Sequence, residues 1–445
     1  MDGSSSTVEG SAPMTSLESW GRYPKTQAIA RPLHWADDPL PIGPGERVLP
    51  YGNGRSYGDS CLNDGGVSLC TRGLHRLRSF DRATGLLRIE AGALLSEILE
   101  LVEPAGWFLP VTPGTKFVTL VGAVANDIHG KNHHVAGCLG SHVRSFELLR
   151  SSGERLVCSA SENPALFAAT IGGLGLTGVM TWVELQLLRV QGPFIDTDNV
   201  VLGSLDDFFA VSAESKDWPY TVAWIDSVAR GTKLGRGIFF RGRHADAAGD
   251  APRSLLNGWL RVPFTLPPHL LNKMSIRAFN TVVGATWRRQ AGHPGRAHYE
   301  PFFYPLDAVG SWNRIYGPGG LMQYQAVVPH QNKDAIAALL DEVARGPGSF
   351  LTVLKIFGDI PSPGMMSFPR PGITLNLDFP FEGERTLALC ERLDAVVRSA
   401  RGALYPAKDA RMPRDLFELS FPRLQEFLPH VDPRFSSSFW RRVRA

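Results

Sequence analysis

The chain has 445 residues, 46 of them Lys or Arg and 43 Asp or Glu, for a formal net charge of +3. That near balance gives no reason to expect a nucleic-acid partner, and the length suits two or three domains with buried cores. Five scattered cysteines without a CxxC pair exclude a disulfide framework and a zinc ribbon and point to a reducing compartment.

Residues 1–16 begin Ser/Gly-rich, without the basic start and apolar centre of a signal peptide, and are expected to be a disordered lead-in. No apolar run reaches the ~18 residues of a membrane span, which predicts a cytoplasmic protein, soluble or peripheral. The first glycine-rich loop follows at Tyr51–Asp59, YGNGRSYGD. Its Gly52, Gly54 and Gly58 let backbone N–H groups converge on a diphosphate, with Arg55, Ser56 and Tyr57 as side-chain donors. Leu86–Ala91 is predicted as a strand and Leu95–Val102 as a short helix. In Pro113–Asn126 the turn at Pro113-Gly114 and the small residues Gly122, Ala123 and Ala125 leave room for an aromatic ring system against the backbone.

Next comes NDIHGKNHH, Asn126–His134. His129 and His133 would share a face of a helix and suggest zinc, but Gly130 and Asn132 oppose a helix and no carboxylate stands at HExxH spacing. No metal is therefore expected, and His133 and His134 are read as structural. Ser161–Ala169 carries helix-start signals, with Ser161 or Asn163 as cap and Pro164 in the first turn. The third glycine loop, Ile171–Val179, leads into a strand over Gly178–Leu188. These elements lack regular βαβ alternation, which disfavours a doubly wound nucleotide fold.

Composition shifts after Val190. Arg253–Arg289 mixes Leu255, Leu256, Trp259, Leu260, Phe264, Leu270 and Leu271 with prolines and arginines. Pro263, Pro267 and Pro268 predict no long helix or strand there but a mobile cover meeting a membrane surface. Strands are expected at Gly320–Pro329, Ser349–Phe357 and Ile373–Phe379, with helices at Lys333–Ala344 and Glu384–Ala400. Alternation sets Gln323 and Gln325 opposite Tyr324, and Lys355 opposite Leu354 and Ile356.

The three loops, in this order and spacing, resemble the FAD-binding domain of the vanillyl-alcohol-oxidase (PCMH) type. NDIHGKNHH with GCLGSHVRSFELL, SWNRIYGPGGLMQYQAVVP, SFLTVLKIFG, PGITLNLDFP and LYPAKDARM extend the resemblance to the decaprenylphosphoryl-β-D-ribose 2′-oxidase family, over nearly everything from Arg47 onward. The resemblance implies a two-domain α+β fold: an FAD-binding domain over 17–190, an antiparallel-sheet substrate domain over 191–402, and a tail, 403–445, returning to the first. It implies oxidation of the 2′-hydroxyl of a polyprenylphosphoryl ribose, the 2′-keto product passing to a partner keto-reductase. An aldonolactone or alditol oxidase is the alternative, and a zinc hydrolase a remote one.

By the same resemblance, Gly52 and Gly54–Asp59 lie around the FAD diphosphate. Gly114 and Thr119, Leu120, Val121 and Gly122 lie along the ribityl chain and ring; Asn126, Asp127, Ile128 and His129 beside the isoalloxazine; Gly178 and Val179 near the adenine; and Tyr405 in the cofactor site. Arg55 stands where related oxidases carry a flavin-linked histidine, which implies non-covalent FAD. Lys408 is the expected cation at the ring and Lys355 the second catalytic lysine. Tyr57 and His129 are candidates for proton removal. Lys131, Gln323, Gln325, Asn376 and Trp224 are expected to contact the sugar. Two departures stand out: Asn376 replaces a cysteine, and residues 31–45 look too short for the strand and helix usual there.

Overall fold

The computed structural model describes residues 13–246, 260–268 and 270–445. Three sheets organise them. The first runs in the order Met14–Thr15, Ala28–Pro32, Val67–Cys70, Val48–Tyr51, its last three strands parallel. The second is antiparallel, in the order Leu77–Asp81, Leu86–Glu90, Val179–Gln186, Val143–Leu149, Arg155–Ser159. The third has eight antiparallel strands: Gly295–His298, Phe194–Leu202, Gly237–His244, Tyr220–Ile225, Thr352–Phe357, Gly372–Pro380, Leu321–Val328 and Ala403–Leu404. The chain is α+β, with mixed helices and largely antiparallel sheets.

The third sheet is two-faced because its strands alternate. Met322, Tyr324, Ala326, Leu354, Leu375 and Leu377 enter one core with Ile336, Leu339 and Leu340 of helix Asp334–Arg345 and Leu389 and Leu393 of helix Glu384–Ser399. Burial of this apolar face supplies the main drive for the layer. The opposite face is polar and turns toward the glycine loops. A separate core joins the second sheet to helix Leu95–Val102, where Leu95, Ile98, Leu99 and Val102 are buried.

Three expectations need correction. Met14 and Thr15, placed in the disordered lead-in, pair with Ile29 and Ala28. The segment judged too short for a strand begins with one, since Arg31 and Pro32 close strand Ala28–Pro32 on the parallel ladder to Val67–Cys70. Arg253–Arg289 was expected to hold no long helix, yet Lys273–Gln290 is an 18-residue helix. All three prolines precede it. Lys273 Nζ donates to Ala344 O at 2.7 Å, and buried Asn280 donates to Asp226 at 2.7 Å, fastening the helix to the neighbouring layer. Arg253, Leu255, Leu256 and Trp259 lie outside the described residues.

After Leu404 the tail contacts the first sheet. Ser436 N donates to Val48 O at 3.0 Å, and Ser438 N to Leu62 O at 2.7 Å. Arg442 reaches both buried Asp59 (2.7 Å) and Asp409 (3.0 Å), tying the first glycine loop to the segment that carries Lys408.

Candidate active site

The polar face of the third sheet is a cross-strand row. Registry places Trp224 beside Val353, Val353 beside Asn376, and Asn376 beside Gln325. One row over, Lys355 pairs with Thr374, and on the other side Gln323 pairs with Asp378. Five of these side chains, Trp224, Gln323, Gln325, Thr374 and Asp378, are buried, so their polar atoms must find partners within the protein or on a ligand.

His129 closes on this row. Its Nε2 lies 2.9 Å from Gln325 Nε2 and its Nδ1 3.2 Å from Lys355 Nζ. The ring packs edge-on to Phe357, centroids 4.8 Å apart, and against Tyr405 at 5.6 Å. Tyr405 in turn donates its hydroxyl to Asn126 O at 2.9 Å. Burial, reinforced by Lys355, holds the imidazole well below the usual histidine range. Both nitrogens are engaged within the protein, and Lys355 is the basic group beside the ring.

Lys355 is pushed down to about 8 by burial. Lys408, in the turn Pro406–Lys408, lies 3.8 Å from the Tyr57 ring centroid. Burial lowers its affinity for protons, against the opposing pull of Asp378. Asp378 is raised by burial, while Gln323, which donates to it, and Lys408 pull it back. Burial, with Asp378 nearby, raises the Tyr57 phenol well above its usual value, so it acts as a neutral donor and not as a base.

The first glycine loop is clamped onto this centre. Tyr57 N donates to Ala407 O at 2.8 Å, and a Cβ on Gly58 would sit 1.7 Å from Asp409 O. Gly54 has φ +59°, a conformation that favours glycine, and a Cβ on Gly52 would meet Thr119 Oγ1 at 2.3 Å. Trp20 N donates to Ser56 O at 2.8 Å. Arg55 lies over Trp20 at 4.2 Å, and its Nε is buried without a protein partner. Thr119 caps helix Leu120–Ala125, accepting from Gly122 N at 3.2 Å. Gly114 faces open space where a Cβ would point, and Asn126 Oδ1 is buried and unpartnered. Open backbone beside orphaned polar atoms is what a large polar cofactor requires, and this surface fits FAD.

Several expected contacts have other work. The Asp59 carboxylate is committed to Arg442. Buried Asp127 accepts from Gly140 N at 2.8 Å and Ser362 Oγ at 2.5 Å, so it joins loops. Leu120, Val121 and Ile128 are buried core members, and Val179 packs with Val48 and Val67 beside Gly178. Lys131, expected at the sugar, donates to Phe302 O and Phe303 O, where it satisfies the end of helix Tyr299–Phe303. His133 packs tilted against Phe357, ring centroids 4.5 Å apart. Asp378 was missed. Period-two alternation from Asn376, a residue only the family resemblance had singled out, leads to it two residues on.

A family model described as FAD binding domain matches residues 31–159. The chain is thus an FAD-dependent oxidoreductase. It is 35% identical to decaprenylphosphoryl-beta-D-ribose oxidase of Mycolicibacterium smegmatis across 99% of both chains. It is also 31% identical to an L-gulono-1,4-lactone dehydrogenase of Mycobacterium tuberculosis over 38% of this chain and 40% of the relative. A putative D-arabinono-1,4-lactone oxidase of Neurospora crassa is 30% identical over 32% of this chain and 25% of its own length. The chain belongs to the decaprenylphosphoryl-ribose oxidase family.

Proposed function

We propose that this protein oxidises the 2′-hydroxyl of a polyprenylphosphoryl-β-D-ribose to the 2′-ketone on a vanillyl-alcohol-oxidase-type, two-domain fold. The observation that carries the substrate class is the extent of similarity. The ribose oxidase matches across 99% of this chain, including the polar sheet, whereas the two lactone enzymes match 38% and 32% of it.

Backbone of Gly52–Asp59, Gly114, Thr119–Gly122 and Asn126–His129, with Gly178, Val179 and Tyr405 at its edges, would hold FAD. When bound, FAD accepts the hydride that leaves the sugar carbon. Lys355, with a depressed affinity for protons, takes the hydroxyl proton, and Lys408, whose ammonium form the Asp378 carboxylate favours, presents a cation at the ring. Gln323, Gln325, Asn376 and Trp224 bind and orient the sugar. The ketone then requires a partner reductase to complete an epimerisation.

A second part of the proposal is contact with an anionic membrane surface. Phe264 (64% exposed), Met274 (83%) and Val282 (67%) stand out with Leu260 and Leu270, interspersed with Arg261, Arg277 and Arg289. No helix among the described residues is long and apolar enough to cross a membrane. The experiment is anaerobic bleaching of the FAD-loaded protein. A short-chain prenylphosphoryl ribose is expected to bleach it and an aldonolactone to leave it yellow; the reverse overturns the assignment.

A further inference from the structure

A cavity of about 480 Å³ between the first glycine loop and residues 263–265 has no role in the chemistry described so far. Its volume lies within the ~300–1,000 Å³ usual for small-molecule sites. Three guanidinium groups line it, Arg22, Arg55 and Arg314, with Trp20 and Asn313 between them and Phe264 at the lip. Glu18 is the carboxylate on the wall, and Lys25 already pairs with it at 2.9 Å, Arg22 lying 4.0 Å away. The cavity is therefore a cationic pocket with an apolar edge.

We propose that this cavity binds the phosphodiester of the substrate, with the prenyl chain leaving over Phe264. The proposal rests on the reading of the substrate as a prenylphosphoryl sugar. Arg55 is two residues from Tyr57, so their Cα atoms are at most about 7 Å apart. In a 1-phosphorylated pentose the reacting C2 is bonded to the anomeric carbon that carries the phosphate oxygen, so the phosphate must lie just beside the chemistry. Aromatic rings join the two: Trp20 of the cavity lining meets Trp312 edge-on at 5.6 Å, and Trp312 meets Tyr316 at 6.1 Å in the apolar cluster against which Tyr57 packs.

Each guanidinium has capacity for such a ligand. Among the described residues, the hydrogen bonds of Arg314 run from Nη1, to Val262 O (3.2 Å) and Pro263 O (2.7 Å), which also fixes the lip. Arg55 is held flat over Trp20 with Nε buried and unpartnered. Planar forks preset in this way suit phosphate oxygens.

The test uses the FAD-loaded protein and a probe that cannot react. Farnesyl phosphate and farnesol are titrated calorimetrically into wild type, Arg22→Gln, Arg314→Gln and Arg314→Lys. Wild type should prefer the phosphate by at least about ten-fold, the scale of one charge-assisted hydrogen bond. Both glutamine variants should lose most of that preference, with farnesol binding and flavin content unchanged, and Arg314→Lys should retain part of it. Equal affinity of wild type for the two probes overturns the proposal. So does loss of FAD from Arg22→Gln or Arg314→Gln, which would assign the cavity to the cofactor diphosphate. Phosphate preference in a protein whose flavin is not bleached by the ribosyl ester would keep the pocket and sink the substrate assignment.

Discussion

Lys355 Nζ and His129 Nδ1 lie 3.2 Å apart, joined across 226 residues of chain, and the hydrogen bonds around them fix which way the proton points. Thr374 donates its hydroxyl to Ala326 O at 2.9 Å, so it can accept only from the Gln325 NH2 group, at 3.1 Å. That orientation makes Gln325 a donor to His129 Nε2, leaving the imidazole proton on Nδ1. An Nδ1–H facing Lys355 favours a neutral amine there. Burial acts in the same direction.

This arrangement predicts the pH dependence of flavin bleaching. A neutral amine accepts a proton and an ammonium does not, so with Lys355 near 8 the reductive rate should climb as pH rises toward that value. Lys355→Met should lower the rate by on the order of 10²-fold with FAD still bound. Lys355→Arg, always charged, should not rescue it. Stopped-flow bleaching from pH 6 to 10 checks both, and a Met variant within a few-fold of wild type removes Lys355 from the chemistry. Stability gives a second readout. A lysine whose affinity for protons is lowered by folding destabilises the fold at pH below 8, and the penalty fades as pH rises toward the unfolded value. Lys355→Met should therefore melt higher than wild type at pH 7, with the gap closing in alkali.

Lys408 and Asp378 form the opposite case. Lys408 must stay charged to stabilise negative charge at the ring, and Asp378 opposes the loss of its proton. Lys408→Ala should cut the reductive rate by about 10²–10³ without emptying the FAD site. Asp378→Asn should shift the alkaline limb of the rate profile to lower pH, because the ammonium loses its counter-charge. An unmoved limb would separate the two residues.

Much of this centre was legible in the sequence because it obeys period two. Gln323, Gln325 and Lys355 could be assigned to the polar faces of their strands from alternation and the glycine loops from composition, whereas Asn376 came only with the family resemblance. The partners of His129 were not legible. Its two nitrogens are met from strands 196 and 226 residues away, and registry between distant strands leaves no local trace. Helix Lys273–Gln290 escaped for a different reason. It buries Ile276 and Asn280 while exposing Met274 and Val282, so its apolar pattern does not report its packed face. The side-chain partners of Asp59 and Lys131, Arg442 and the carbonyls of Phe302 and Phe303, were not legible either, because they meet through tertiary contacts.

FAD should be extractable. Arg55 cannot form a histidyl–flavin bond, and the imidazole at the ring, His129, has both nitrogens engaged. Acid or heat should release the flavin quantitatively, and fluorescence that migrates with the polypeptide in a denaturing gel would contradict this.

Gly58 should be intolerant of any side chain. A Cβ there would lie 1.7 Å from Asp409 O, within the backbone that follows Lys408, and no flexible side chain can yield to relieve it. Gly58→Ala should separate the first loop from the Lys408 turn, breaking the Tyr57 N to Ala407 O bond, and FAD content should fall sharply. Gly114→Ala, facing open space, should fold with unchanged apo-protein stability. Equal FAD content in Gly58→Ala and wild type would show that the clamp is dispensable.

Membrane contact can be tested on the described surface without Trp259. Phe264 and Met274 are strongly exposed, so replacing both by serine removes apolar area from water and should leave the thermal midpoint within a degree or two. On vesicles containing anionic lipid, co-sedimentation of Phe264→Ser/Met274→Ser should drop several-fold, and added salt should weaken wild-type binding through Arg261, Arg277 and Arg289. Turnover of a water-soluble phosphoryl ribose that carries no prenyl chain should stay at the wild-type rate, because neither side chain touches the polar row. Equal sedimentation of variant and wild type, or none by either, would end the membrane reading and leave this apolar edge to the prenyl chain alone.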